Sequence, residues 1–132
     1  MKMKNILAIC VVFITLCTIG MVCAAEINNP EGFTPNQSLT VNNETGDFNG
    51  VKSEFTRVVL ENGTDNITIT DMVPSKSIDL APSGNAVMKN ISSKQGIYQE
   101  KDGRCIFQYL ADGTIVEINA PNEKLIEEVI GK

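Results

Sequence analysis

The chain has 132 residues, no histidine, and 16 acidic against 11 basic residues, for a formal net charge of −5. Lack of histidine removes the commonest metal ligand and the usual Ser-His-Asp and Cys-His catalysis. The acidic balance disfavours phosphate backbones and anionic membrane surfaces, so no nucleic-acid partner is expected.

The chain opens Met1-Lys2-Met3-Lys4-Asn5, and an apolar run without charge follows from Ile6 to Ala25. Two lysines before an apolar stretch are the n-region and h-region of an export signal, with the lysines kept inside. Cys23, Ala24 and Ala25 supply small residues for cleavage before Glu26 or one residue earlier. The run is also about as long as a bilayer is thick, so an uncleaved anchor through residues 6–25 stands as the alternative. Acylation at Cys23 or Cys17 is the weaker reading, because neither Gly20-Met21-Val22 nor Ile14-Thr15-Leu16 resembles a lipobox. Either way the remainder is expected outside the cytoplasm, secreted or anchored to the cell membrane.

Losing the leader removes Lys2 and Lys4, which takes the net charge from −5 to −7. It also removes Cys10, Cys17 and Cys23, leaving Cys105 alone of the four cysteines. An intramolecular disulfide is then impossible, so packing must stabilise the domain. Cys105 reads as a small buried hydrophobe on a strand. Its functional alternative is an intermolecular disulfide.

Five Asn-x-Ser/Thr sequons start at Asn36, Asn43, Asn62, Asn66 and Asn90. The composition of the exported part would give roughly two by chance, so five is an excess. In an exported chain they are glycan acceptors on the surface, provided the host carries the transferase. An Asn- and Thr-rich turn composition is the plainer explanation.

Residues 26–50 read as a lead-in segment or loop, with one short strand at Ser38 to Val41 and Phe33 as an apolar anchor between turns. Residues 51–132 read as a single domain. Thr56 to Glu61 is a strand, Asn62-Gly63-Thr64-Asp65 a hairpin turn, and Asn66-Ile67-Thr68-Ile69-Thr70 an alternating strand. Met72 to Ala86 reads as a crossing connection with a short helix around Ile78 to Ala81. Val87 to Ile91, Gly96 to Glu100, Arg104 to Leu110 and Thr114 to Asn119 are further strands. Asp102-Gly103 and Asp112-Gly113 mark tight turns between them. Pro121 suits the first turn of a closing helix, with Asn119 or Ala120 just outside it. The apolar stripe Leu125, Ile126, Val129, Ile130 should pack over Phe107 and Tyr109. The expected class is therefore α+β: an N-terminal signal or anchor helix, then an antiparallel sheet of about five strands against a C-terminal helix.

Gly96-Ile97-Tyr98, Phe107-Gln108-Tyr109, Asp112-Gly113-Thr114 and Ile126-Glu127-Glu128-Val129-Ile130, with Pro30-Glu31-Gly32-Phe33, carry a resemblance. The arrangement resembles small uncharacterised exported proteins of methanogenic archaea and, more distantly, the Mog1/PsbP-like α+β sandwich. The chain is shorter than typical members of that fold and lacks the Trp they often carry after the opening Pro-Gly. The likeness brings no functional residue with it.

No catalytic, cofactor or metal residue is expected. Asp71 with Asp79, and Glu100 with Asp102, are the carboxylate pairs available for sugar hydrolysis. Residues at hairpin ends more often form turns. Glu61 to Asn66 is oxygen-rich but lacks the spacing of a calcium loop. Tyr98, Phe107 and Tyr109 are expected in the core, with a binding face as the alternative. The sequence thus points to a non-enzymatic extracytoplasmic module that binds a protein or envelope component. A secreted inhibitor or accessory subunit of an envelope complex comes second, and a small carboxylate hydrolase third.

Overall fold

The computed structural model describes residues 27–131. The export segment expected at residues 1–25 lies outside the described residues. One antiparallel sheet dominates. Its strands in chain order are β1 (Thr34–Pro35), β2 (Val41–Phe48), β3 (Val51–Glu61), β4 (Asn66–Pro74), β5 (Val87–Ile91), β6 (Lys94–Lys101), β7 (Arg104–Ala111) and β8 (Thr114–Ala120). A single α-helix among the described residues, α1 (Glu123–Ile130), closes the chain.

The expected α+β class with about five strands is thereby corrected. Eight strands make one sheet, in the order β1-β3-β4-β8-β7-β6-β5, with β2 also pairing with β3. The extra strands come from the stretch expected to be a lead-in loop. β2 folds back on β3 through Asn49-Gly50, whose φ angles of 51° and 81° are those of a tight hairpin turn. β1 then pairs Thr34 with Glu61 and Pro35 with Leu60, further along the same edge of β3. β2 has no apolar alternation; main-chain pairing with an eleven-residue neighbour makes it a strand. The helix expected around Ile78 to Ala81 is also absent, and residues 75–86 run as turns and irregular chain. Pro74 and Pro82 bracket a segment too short to repay helix nucleation.

Two antiparallel meanders make up the sheet. β2-β3-β4 turn at Asn49-Gly50 and at Asn62 to Asp65. β5-β6-β7-β8 turn at residues 92–93, at Asp102-Gly103 and at Asp112-Gly113. The two meanders join where β4 pairs with β8, from Thr68 opposite Asn119 to Met72 opposite Ile115.

Register places one continuous apolar row across six strands: Val87, Tyr98, Phe107, Ile118, Ile69 and Val58. Ile126 and Val129 of α1 join Phe107, Tyr109, Ile118 and Val116 in the same buried cluster, with Phe33 and Ile67. The helix thus packs where its stripe indicated. Burying such side chains is worth about 1.5–3 kcal/mol each, which suffices without cross-links. The opposite face buries Met72, Ile97 and Ile115 and carries a polar row, in which Gln108 Nε2 donates to Glu117 Oε1 at 2.6 Å.

The helix is tied at both ends. Asn122, not Asn119 or Ala120, is its N-cap, with Oδ1 accepting from Leu125 N at 2.9 Å. Asn122→Ala should cost about 1 kcal/mol, read as a fall in Tm of roughly 4–8 °C in thermal unfolding. At the other end, Gly131 N donates to Glu127 O and Asn28 N donates to Val129 O at 2.9 Å. The described chain therefore starts beside the helix C-terminus.

Candidate functional site

The sequon asparagines avoid the core. Asn43, Asn62, Asn66 and Asn90 are exposed and Asn36 is half-buried. Three of them also serve the fold. Asn36 Oδ1 accepts from Ser38 N at 3.0 Å, capping the 3-10 turn Gln37–Leu39, and its Nδ2 donates to Glu61 Oε1. Asn62 Oδ1 accepts from Thr64 N and Asp65 N, which shapes the β3-β4 turn. The Asn66 carbonyl accepts from Arg104 Nη2 at 2.9 Å. Arg104 also donates to Asn119 and so links β4, β7 and β8 at one end of the sheet. This explains why Glu61 to Asn66 forms a hairpin turn. Among the described residues no group of three or more His, Cys, Asp or Glu side chains is placed to hold a metal ion.

The two carboxylate pairs fare differently. Asp71 is buried on the helix side of the sheet, whereas Asp79 is exposed on the crossing connection. Glu100 and Asp102 both line one shallow groove, with Tyr98, Arg104, Cys105 and Glu123. Within it the Tyr98 hydroxyl donates to Glu100 Oε2 at 2.9 Å and lies 3.1 Å from Cys105 Sγ. Lys89 Nζ sits 4.4 Å above the Tyr98 ring and 2.7 Å from Glu123 Oε1. These contacts fasten the helix N-terminus to β5 and β6. The ion pair is partly exposed, so its own contribution is below about 1 kcal/mol. Cys105 is buried in the core cluster, as expected of a small hydrophobe.

Both tyrosines of the chain are in the core, as is Phe107. Burial raises the Tyr98 hydroxyl well above the ordinary tyrosine range, helped by its contacts with Cys105 and Glu100. Burial also pushes Tyr109 up to about 12, with the charge of Asp71 adding to it. An unfolded tyrosine ionises near 10. A raised folded value stabilises the fold fully below pH 10, and that stability is lost as pH rises through 12. Ultraviolet titration of phenolate should therefore stay flat through pH 10, with Tyr109 emerging near 12 and the unfolding midpoint falling over that interval.

The opposite end of the sheet offers a second concave surface. Pro74, Lys76, Ser77, Ile78 and Asp79 of the crossing connection face Leu110 and Gly113 across a hollow of about 450 Å³. Leu110 is 45% exposed, and Ile78 faces it from the crossing connection. The hollow thus combines apolar wall, one ammonium and one carboxylate on irregular chain held by a rigid sheet, the usual setting of a recognition surface. Its apolar contributors were missed in the sequence. Leu110 read as a strand residue, and only its place near the end of β7 leaves it uncovered.

No protein-family model matches the chain, and neither a curated protein nor a solved structure matches it. Among the described residues no helix is long and apolar enough to cross a membrane.

Proposed function

We propose that the chain is a non-enzymatic extracytoplasmic interaction module, secreted or held at the membrane through residues 6–25. It engages a protein or envelope component at the hollow between the crossing connection and the β7-β8 turn. The observation that carries this reading is the exposed Leu110 beside Lys76, Ile78 and Asp79. A large apolar side chain left in water beside a mixed-charge hollow gains free energy when a partner covers it. The lysine-led leader, the excess of sequons and the likeness to small exported proteins support the location. The fold adds one detail: Asn28 is bound to the helix C-terminus, so a retained anchor would hold that corner of the domain towards the membrane.

The test has two readouts on the native full-length protein. Intact mass from membrane, medium and cytosol fractions reports leader removal and sugars; a full-length unmodified chain found in the cytosol refutes the location. A photo-crosslinking residue at Leu110, compared with one at Lys124 on the helix, reports the surface. Cross-linking from Leu110 alone to one stoichiometric envelope partner supports the site, and equal yields from both positions refute it.

A further inference from the structure

We infer that Asn90 carries an N-linked glycan whose first sugars cover the open edge of the sheet at β5. This rests on the extracytoplasmic reading above. Among the described residues β5 pairs only with β6, so its outer N–H and C=O groups form an unpaired edge. Such an edge templates pairing with another chain unless something blunts it.

The edge strands β2 and β5 are protected unequally. β2 carries Glu44 and Asp47, and its pairing is broken by a bulge at Asn43, where φ is 53°. β5 reads Val87-Met88-Lys89-Asn90-Ile91, with no proline, no bulge and a single charge. That charge, Lys89, lies on the helix side and is bound to Glu123. Lys89 therefore guards only one face of the edge. On the other face Met88 is 48% exposed.

Asn90 sits on that other face. It is two residues from Met88, so their side chains leave the same side of the strand, about 7 Å apart. Met88 pairs with the buried Ile97 and Asn90 with Gln95, so Met88 is the exposed apolar side chain beside the sugar. Asn90 is exposed and its side chain makes no hydrogen bond within the described residues, so Nδ2 is available to be substituted and point outwards. The apolar face of a first N-acetylhexosamine would rest on Met88, and its bulk would exclude an incoming strand.

The transfer itself balances simply. The host's membrane oligosaccharyltransferase uses a lipid-linked sugar phosphate as donor. Asn90 Nδ2 forms the bond to the sugar's anomeric carbon as the bond from that carbon to the phosphate oxygen breaks. The lipid phosphate leaves with the electron pair, and the amide proton passes to the transferase's base.

The test expresses the full chain through a secretory route that carries the transferase, beside Ser92→Gly. Ser92 has φ of 56°, a conformation glycine adopts without strain, so the variant removes the sequon and keeps the turn. Asn90→Gln provides a second removal that leaves Ser92 untouched. Peptide mass should show a sugar on Asn90 in the parent protein and none in either variant. Light scattering should show a monomeric parent and at least a twofold rise in average mass for both variants at high protein concentration. Adding Met88→Lys to Ser92→Gly should restore the monomer. Sugar at Asn36 or Asn62 with none at Asn90 overturns the site. Variants that stay monomeric overturn the covering role. A chain outside the cytoplasm with no sugar at any sequon overturns the glycan, and a full-length unmodified chain in the cytosol overturns the extracytoplasmic reading on which it depends.

Discussion

Gly96→Ala should cost about 3 kcal/mol or more, a large part of what holds a domain of this size together. A Cβ at Gly96 would collide with the Gln108 carbonyl oxygen and meet the Phe107 ring at 2.9 Å. The first of these is backbone of the neighbouring strand, which cannot swing aside as a flexible side chain would. Gly96 sits opposite Tyr109 and beside Lys89 in one cross-strand row. Relief would require β6 to leave β7, which would uncover Tyr98 and Phe107 together. Urea unfolding should show the midpoint falling with an unchanged slope. A variant within about 0.5 kcal/mol of the parent would show that the β6-β7 contact is looser than the register implies.

Phe107→Ala is the second large effect, at about 3–5 kcal/mol. Phe107 is fully buried at the centre of the six-strand apolar row, its ring centroid 5.7 Å from that of Tyr109. Both meanders and α1 contribute side chains to the cluster around it. The cavity would therefore be shared by several elements, and no single one could move to fill it. Calorimetry should show a Tm roughly 12 °C or more below that of the parent. Phe107→Leu, which keeps most of the volume, should recover much of the loss.

The parts of this fold that were legible in the sequence are those governed by local chemistry. Asp102-Gly103 and Asp112-Gly113 have positive φ at both residues and form the tight turns expected of them. Alternation in Arg104 to Leu110 correctly put Cys105, Phe107 and Tyr109 on one face, and the stripe of α1 correctly marked its packing side. What misled was reading strands from apolar alternation alone. β2 has none, because its pairing with β3 is main-chain and its outer side is polar. Asn49-Gly50 was a visible signal for that hairpin, of the same kind that marked the others. The helix placed at Ile78 to Ala81 failed because apolar spacing in so short a segment does not overcome flanking prolines.

The candidate surfaces were less legible for a different reason. The hollow is lined by residues from the crossing connection and from the β7-β8 turn, far apart in the chain. Nothing in the local pattern around Leu110 announces that Ile78 will lie across from it. The unguarded side of β5 likewise emerges only from the strand order, which shows that no neighbour among the described residues follows it. The sequons themselves were plain to read. Which of them lies on a bare edge could be told only from the topology.

The joining of the meanders at β4 and β8 governs how the molecule comes together in time. Each hairpin closes a short loop, but Thr68 meets Asn119 only after a long excursion of the chain. Loop-closure entropy makes such a contact the slow step, and topologies rich in distant pairing fold slowly. β8 is also the last strand in sequence, and it is the strand by which the second meander joins the first. Until it arrives, each meander has an open edge and half a core. A chain led out through a translocation pore would therefore stay loose and threadable until nearly all of it had emerged, and would lock on the far side.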